Sequence, residues 1–271
     1  MSQHSDPAYL RGVQYKDAGN LNARIDLHAR FSTNRHGWHR WVFDQLELLP
    51  DSRLLDLGCG AGRLWAENLA CIPRGWMVHL ADASIGMVTD AQRALGEVRH
   101  ARGWLTADAQ HLPLRDATFD CVLANHMLYH VADRQRALRE IARVLLPGGR
   151  LIASTVGDAH MKEIDEQLCA VGVSAQFLGR ASSARFTLEN GAAQLRAAFR
   201  EVTVQRYADA LEVTEVEPLM AYVGSMKVGS QLTAAALDRI RAHFAAQIAR
   251  SGAVHITKVS GVCIARGPVD K

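Results

Sequence analysis

Apolar positions along this chain fall into two patterns: short continuous runs and stripes at helical spacing. Leu54, Leu55 and Leu57 make a short run that passes into Gly58, Gly60 and Gly62, which predicts a buried strand, a tight turn and then a helix over residues 63–70. Further runs at residues 77–82, 119–125 and 151–156 predict strands. Between them, Ser84 caps a helix carrying Ile85, Val88, Ala91 and Leu95, and Asp133 caps one carrying Ala137, Leu138, Ile141, Val144 and Leu145. Pro147-Gly148-Gly149 stops that second helix. Runs without strict alternation, separated by helices, indicate an α/β fold with a mostly parallel sheet covered on both faces. In such a sheet the ligand belongs at the carboxyl ends of the strands, where the strand order reverses. Asp56, Asp82 and Asn125 all fall at such ends.

The flanks read as mostly helical. One helix carries Leu21, Ile25, Leu27, His28 and Phe31, and a second spans residues 36–49 with Trp38, Trp41, Val42, Phe43 and Leu46. Beyond the fifth strand, Thr187 caps a helix, residues 201–206 form the sixth strand and residues 211–213 continue extended. Thr214 caps a helix reaching about Met226, striped by Val216, Leu219, Met220 and Val223, which suits a cap or a homodimer face. A helix with Leu237, Ile240, Phe244 and Ile248 ends at Ser251-Gly252, and residues 255–265 form the last strand. The predicted organisation is an N-terminal helical lid at 1–50 and a main domain at 51–271, with cap insertions at about 158–186 and 214–232.

Composition narrows the partners. The 271 residues are 48% hydrophobic with a net charge of +3, and neither a lysine- or arginine-rich run nor an interleaved aromatic strip marks a nucleic-acid groove. No apolar run approaches the roughly 18–20 residues of a membrane helix. The start Met1-Ser2-Gln3-His4 lacks the basic and apolar parts of a secretory signal. Cys59, Cys71, Cys121, Cys169 and Cys263 are scattered with no C-x-x-C pair, which argues against disulfides and a zinc site and fits a reducing cytoplasm.

A G-x-G-x-G turn alone is weak evidence for a ligand. Here Asp56 precedes the first glycine, where a pyrophosphate turn normally avoids an anion; a carboxylate there suits a ligand that is cationic or carries an amino group. The run LDLGCGAG resembles motif I of the class I S-adenosylmethionine-dependent methyltransferases, of the small-molecule, type 11-like kind. Asp82 resembles the acid that takes the ribose hydroxyls. Asp82-Ala83-Ser84-Ile85-Gly86-Met87 resembles the D-x-S-x-x-M segment, whose Met packs on adenine. Ala107-Asp108-Ala109-Gln110-His111-Leu112-Pro113-Leu114 resembles the segment in which an Asp and the next backbone N–H read the adenine edge. Residues 119–131 and 137–151 resemble the fourth strand and its exit, then the helix, turn and fifth strand.

The resemblance covers about residues 50–156. It implies a Rossmann-like seven-stranded sheet, S-adenosylmethionine as cofactor and a small-molecule acceptor. The implied cofactor residues are Asp56, Gly58, Gly60, Asp82, Ala83, Met87, Asp108, Ala109 and Asn125, with Tyr15 from the lid reaching the methionine end or merely packing there. The exit of strand four reads Asn125-His126-Met127-Leu128, unlike the N-P-P-Y signature of enzymes that methylate exocyclic base amines.

A sulfonium methyl is already electrophilic, so positioning supplies most of the rate. A base is needed only for a hydroxyl, a protonated amine or an acidic carbon. His126 is the candidate base and Tyr129 lines the pocket, against the plainer reading that both pack structurally. Trp38 and Trp41 are core at a helix–sheet junction or an aromatic wall for substrate. Two other functions use the same motifs: intramolecular attack within S-adenosylmethionine with release of methylthioadenosine, and a non-catalytic cofactor-binding scaffold.

Overall fold

The computed structural model describes residues 18–96, 101–173, 186–226 and 229–269. The elements in chain order are α1 (Ala18–Phe31), α2 (Trp38–Asp44), β1 (Arg53–Leu57), α3 (Arg63–Asn68), β2 (Met77–Asp82), α4 (Ile85–Leu95), β3 (Ala101–Thr106), β4 (Phe119–Asn125), α5 (Arg134–Val144), β5 (Leu145–Val156), α6 (Lys162–Ala170), α7 (Gly191–Leu195), β6 (Phe199–Val213), α8 (Val216–Ser225), α9 (Ala234–Ser251) and β7 (Val254–Pro268). The strands form one seven-stranded sheet in the order β3-β2-β1-β4-β5-β7-β6. β1 pairs in parallel with β2 and β4, β2 with β3 and β4 with β5, while β7 runs antiparallel to β5. The fold is thus the expected Rossmann-like, mostly parallel α/β sheet. Strand order reverses between β1 and β4, so a crevice opens at their carboxyl ends.

The chain divides into two compact units, one of residues 38–157, 183–207 and 260–271, the other of residues 1–37, 158–182 and 208–259. In the first unit, successive residues of each central strand face opposite ways. Leu55, Leu57, Val122 and Ala124 join one core with Leu138 and Ile141 of α5. Leu54, Leu123 and Leu80 join the other with Trp65 of α3 and with Val42 and Phe43 of α2. Helix α2, which the sequence groups with the lid, therefore packs with the sheet.

The second unit has its own core, in which Leu27 of α1, Leu219 and Val223 of α8 and Ile240 and Phe244 of α9 are buried together. The stripe read as a dimer or cap face is largely covered inside its own unit. Arg24 fastens α1 to α8 through Ser225, donating from Nε to Oγ at 3.0 Å and from Nη2 to the carbonyl at 2.8 Å.

Local signals set several helix ends as expected. Ser84 Oγ accepts the Met87 N–H at 3.4 Å, Asp133 Oδ1 accepts the Arg136 N–H at 2.9 Å, and Gly252 closes α9 in the left-handed conformation. Elsewhere tertiary structure moves the boundaries. The helix expected over 36–49 stops at Asp44, where Gln45 and Leu46 donate to the carbonyls of Val42 and Phe43 in a tightened turn. Pro147-Gly148-Gly149 does not separate α5 from a later strand: β5 begins at Leu145, and the three residues sit in a bulge between the Phe119–Leu145 and Cys121–Arg150 pairs. Thr187 is buried and does not cap; its carbonyl accepts Gly191 N–H, and α7 starts after Asn190. Helix α8 starts at Val216 rather than after Thr214, with Pro218 in its first turn, where no intrahelical N–H is needed. β6 is one 15-residue strand; at the sheet edge its 201–206 stretch is mostly exposed, so the inside–outside alternation weakens there.

Candidate functional site

The site is built in the sheet unit from the end of β1 outward. Gly58 and Cys59 donate their N–H groups to the Ala81 carbonyl at 2.7 and 3.0 Å, which folds the turn toward the end of β2. Gly58 has φ +79°, and a Cβ there would lie 2.8 Å from the Met127 side chain. Gly60 has φ +53°, and its missing Cβ faces open space, where a ligand can approach the backbone.

Two carboxylates frame the turn. Asp56 is 2% exposed; its Oδ2 accepts the Trp65 Nε1–H at 2.7 Å, while Oδ1 is buried with no hydrogen-bond partner. Burial pushes its carboxyl up to about 7, against the Trp65 hydrogen bond and with a contribution from the nearby charge of Asp82. Asp82 accepts Gly60 N–H on Oδ2 at 3.0 Å and Ser84 N–H on Oδ1 at 2.8 Å. Burial raises this carboxyl too, opposed by those backbone donors. Each Asp82 oxygen retains lone-pair capacity for a hydroxyl. The orphaned oxygen of Asp56 fits an ammonium group, and Asp82 fits a vicinal diol, so the donor set suits S-adenosylmethionine.

Ala83 and Met87 follow at the start of α4, Ala83 exposed and Met87 half-buried. Ile85 between them is 73% exposed, apolar surface that the sequence reading counted only toward the helix. Ala107 N–H donates to the Asp82 carbonyl at 3.0 Å, which brings Asp108 and Ala109 to the same edge. Asp108 is exposed and already engaged: Gln110 donates its backbone N–H to Oδ1 at 2.9 Å and its side-chain amide to both oxygens at 3.0 Å. Gln110 Oε1 in turn accepts the Asp133 N–H at 2.9 Å.

At the end of β4, Asn125 lies opposite Ser154 of β5. Ser154 donates its hydroxyl to Asn125 Oδ1 and accepts the His126 N–H at 2.9 Å. His126 has φ +53°, a conformation disfavoured for a side-chain-bearing residue and held here by that bond. The His126 ring lies 5.1 Å from Trp38 and 6.3 Å from Tyr129. Trp38 also meets Trp41 at 5.5 Å and Tyr207 at 5.4 Å. Tyr15 lies outside the described residues. A surface cavity of about 490 Å³ along α5, lined by His111, Arg136 and Arg139 among others, touches Gln110 but is not lined by Asp56, Asp82 or Asn125. Among the described residues no group of three or more His, Cys, Asp or Glu side chains is placed to hold a metal ion, and no helix is long and apolar enough to cross a membrane.

Trp65, Gln110 and Ser154 are the site residues that sequence reasoning missed. Only Gln110 gave a local signal, an amide two residues past an aspartate; the other two act through tertiary folding.

A strand–glycine-turn–helix with acids at the carboxyl ends of β1 and β2 suits a nucleoside-like ligand. Residues 55–153 match a family model described as a methyltransferase domain. The chain is 37% identical over 118 residues to the ubiquinone/menaquinone biosynthesis C-methyltransferase UbiE of Vibrio cholerae, covering 42% of this chain and 45% of that protein. It thus spans about half the length of the curated relatives it matches. Among solved structures, it resembles the Haemonchus contortus phosphoethanolamine N-methyltransferase 2 in complex with S-adenosyl-L-methionine, with a TM-score of 0.59 at 17% identity over 99% of this chain and 61% of that one. It also resembles the [4+2]-cyclase SpnF, with a TM-score of 0.58 at 20% identity over 96% and 97%. At these identities the two structures attest the fold alone.

Proposed function

We propose that the protein is an S-adenosylmethionine-dependent methyltransferase that modifies a small-molecule acceptor at oxygen, nitrogen or carbon. The observation that carries this reading is the buried, unpaired Oδ1 of Asp56 beside a glycine turn whose Gly60 is tied to Asp82. When bound, S-adenosylmethionine supplies a methyl group activated by its sulfonium. Asp56 holds the amino group of the methionine part, Gly58 and Gly60 leave room for it, and Asp82 takes the ribose hydroxyls. Ala83, Met87, Asp108 and Ala109 hold the adenine, Asn125 closes the floor, and Tyr15 reaches the methionine end. Where the acceptor is a hydroxyl or an acidic carbon, His126 would take up its proton while the acceptor displaces S-adenosylhomocysteine from the methyl carbon, and Tyr129 would line the acceptor side. The acceptor need only be held in line with water excluded. Of the stretch 1–50 read as a lid, residues 1–37 serve as lid, and the insertions at about 158–186 and 214–232 serve as cap. The enzyme works in the cytoplasm without a nucleic-acid or membrane partner, and any homodimer uses a surface other than the Val216, Leu219 and Val223 stripe.

The test is incubation with methyl-labelled S-adenosylmethionine, with and without a metabolite extract of the host, followed by mass spectrometry. Labelled product together with S-adenosylhomocysteine, appearing only with extract, supports methyl transfer. Methylthioadenosine appearing without extract would replace it with intramolecular cleavage of the cofactor, and no turnover at all would favour a scaffold.

A further inference from the structure

The cavity of about 490 Å³ beside α5 carries unbalanced positive charge. Arg136 and Arg139 line it together, one turn apart on α5 and both exposed. Arg136 is anchored by one edge: its Nε donates to the Gln110 carbonyl at 3.1 Å, which leaves both terminal amino groups without a partner among the described residues. Arg139 has no hydrogen-bond or ion-pair partner among the described residues. The acids that could neutralise the pair are taken. Glu140 stands four residues after Arg136, the spacing of a helical ion pair. Its two oxygens instead accept Arg143 Nε and Nη2 at 2.8 Å each and the Leu112 N–H at 2.9 Å. Asp133 turns Oδ1 to the Arg136 backbone N–H at 2.9 Å, and Asp108 is held on both oxygens by Gln110. Other helix-surface arginines differ: Arg40, Arg63 and Arg93 each pair with a carboxylate on their own helix or at its end. Like charges one turn apart repel, so two guanidiniums bordering a hollow favour an anion between them.

The donors fix the chemistry of that anion. A guanidinium fork takes two oxygens of one anion. A carboxylate fills one fork, whereas a phosphomonoester presents three oxygens and nearly two negative charges, enough for both. His111, exposed on the same wall, adds a third donor. A phosphate group alone would leave most of the cavity empty, and Leu112 and Pro113 give it an apolar side. The volume falls within the roughly 300–1,000 Å³ of small-molecule sites. We propose that this cavity binds a small organic phosphomonoester, with its phosphate on Arg136 and Arg139 and its organic body against Leu112 and Pro113. None of Asp56, Asp82 and Asn125 lines the cavity, so the phosphate held here is not at the methyl-transfer centre.

The test is calorimetric titration with phenyl phosphate, inorganic phosphate, benzoate and phenol at one ionic strength and about pH 8, where the ester is fully ionised. Wild type should take up phenyl phosphate at a single saturable site, roughly tenfold more tightly than benzoate or inorganic phosphate, and should not bind phenol. Arg136→Gln and Arg139→Gln should each weaken phenyl phosphate binding by roughly tenfold or more. Arg74→Gln, which removes an exposed arginine outside the cavity, should leave it unchanged. Saturating S-adenosylhomocysteine should not displace the ester. The choice among probes needs no altered protein, and Arg139 has no partner in the fold to lose, so instability of a variant does not block the measurement. No saturable uptake, equal binding of benzoate or of inorganic phosphate, or affinity unchanged in both cavity variants would overturn the proposal. So would an equal loss in Arg74→Gln or displacement by S-adenosylhomocysteine.

Discussion

Asp56→Asn separates the stability of the empty domain from its affinity for cofactor. In the folded protein the Asp56 carboxyl is pushed from the ordinary 3.8 up to about 7, chiefly by burial. A folded-state value above the unfolded one means that the native state holds the proton more tightly. The associated stability is complete below about pH 4 and is lost as pH rises toward about 7. The displacement corresponds to on the order of 4 kcal/mol of stability forgone once the group must ionise in place.

Asparagine keeps an oxygen for the Trp65 Nε1–H, now 2.7 Å from Asp56 Oδ2, and cannot ionise. At about pH 8 the unliganded variant should therefore be more stable than wild type by up to ~4 kcal/mol, and the difference should shrink toward zero by about pH 4. Cofactor binding should move the other way. A cationic amino group favours ionised Asp56, so wild-type affinity should rise with pH up to about 7 and binding near pH 6 should release protons. The variant should bind S-adenosylmethionine weaker by about 1.5–3 kcal/mol, as for loss of a hydrogen bond to a charged group, with no pH slope from this group. Urea denaturation across pH gives the first set of numbers. Calorimetric titration in two buffers of different ionisation enthalpy gives the second. A variant no more stable at high pH, yet binding cofactor as tightly as wild type, would refute the reasoning.

Other perturbations probe the neighbouring contacts. Gln110 holds both oxygens of Asp108 through its amide, so Gln110→Ala should free the carboxylate and tighten S-adenosylmethionine binding by up to ~1 kcal/mol; weaker binding in fluorescence titration would mean that Gln110 orients the acid instead. Ser154 serves Asn125 and the backbone of His126 together. Ser154→Ala should destabilise the fold by about 1–3 kcal/mol and lower kcat while leaving cofactor affinity within about twofold of wild type. A variant with unchanged melting temperature and kcat would show that the pair is not needed to hold β4's exit.

Much of this molecule is legible in the sequence wherever the cause is local. The glycines after Leu57, the cap at Ser84, the cap at Asp133 and Gly252 at the end of α9 each act within a few residues, and the structure places them as read. Asp56 and Asp82 could be picked out because strand ends in a parallel sheet are predictable from apolar runs. What was hidden depends on the sheet being assembled. Ser154 reaches Asn125 only because β4 and β5 lie side by side in a particular register. Trp65 meets Asp56 only because α3 folds back over β1. Tyr207 joins Trp38 from an edge strand whose exposed positions break its alternation, so neither its length nor its aromatic partner showed in the pattern.

Everything here rests on S-adenosylmethionine binding at the carboxyl ends of β1 and β2, and the most direct measurement is its calorimetric titration into wild type and Asp82→Ala. Saturable binding to wild type, weakened in the variant by about 2–3 kcal/mol through loss of the ribose contacts, is the predicted result. No binding to wild type, or equal binding to both, would contradict the placement of the cofactor on these residues.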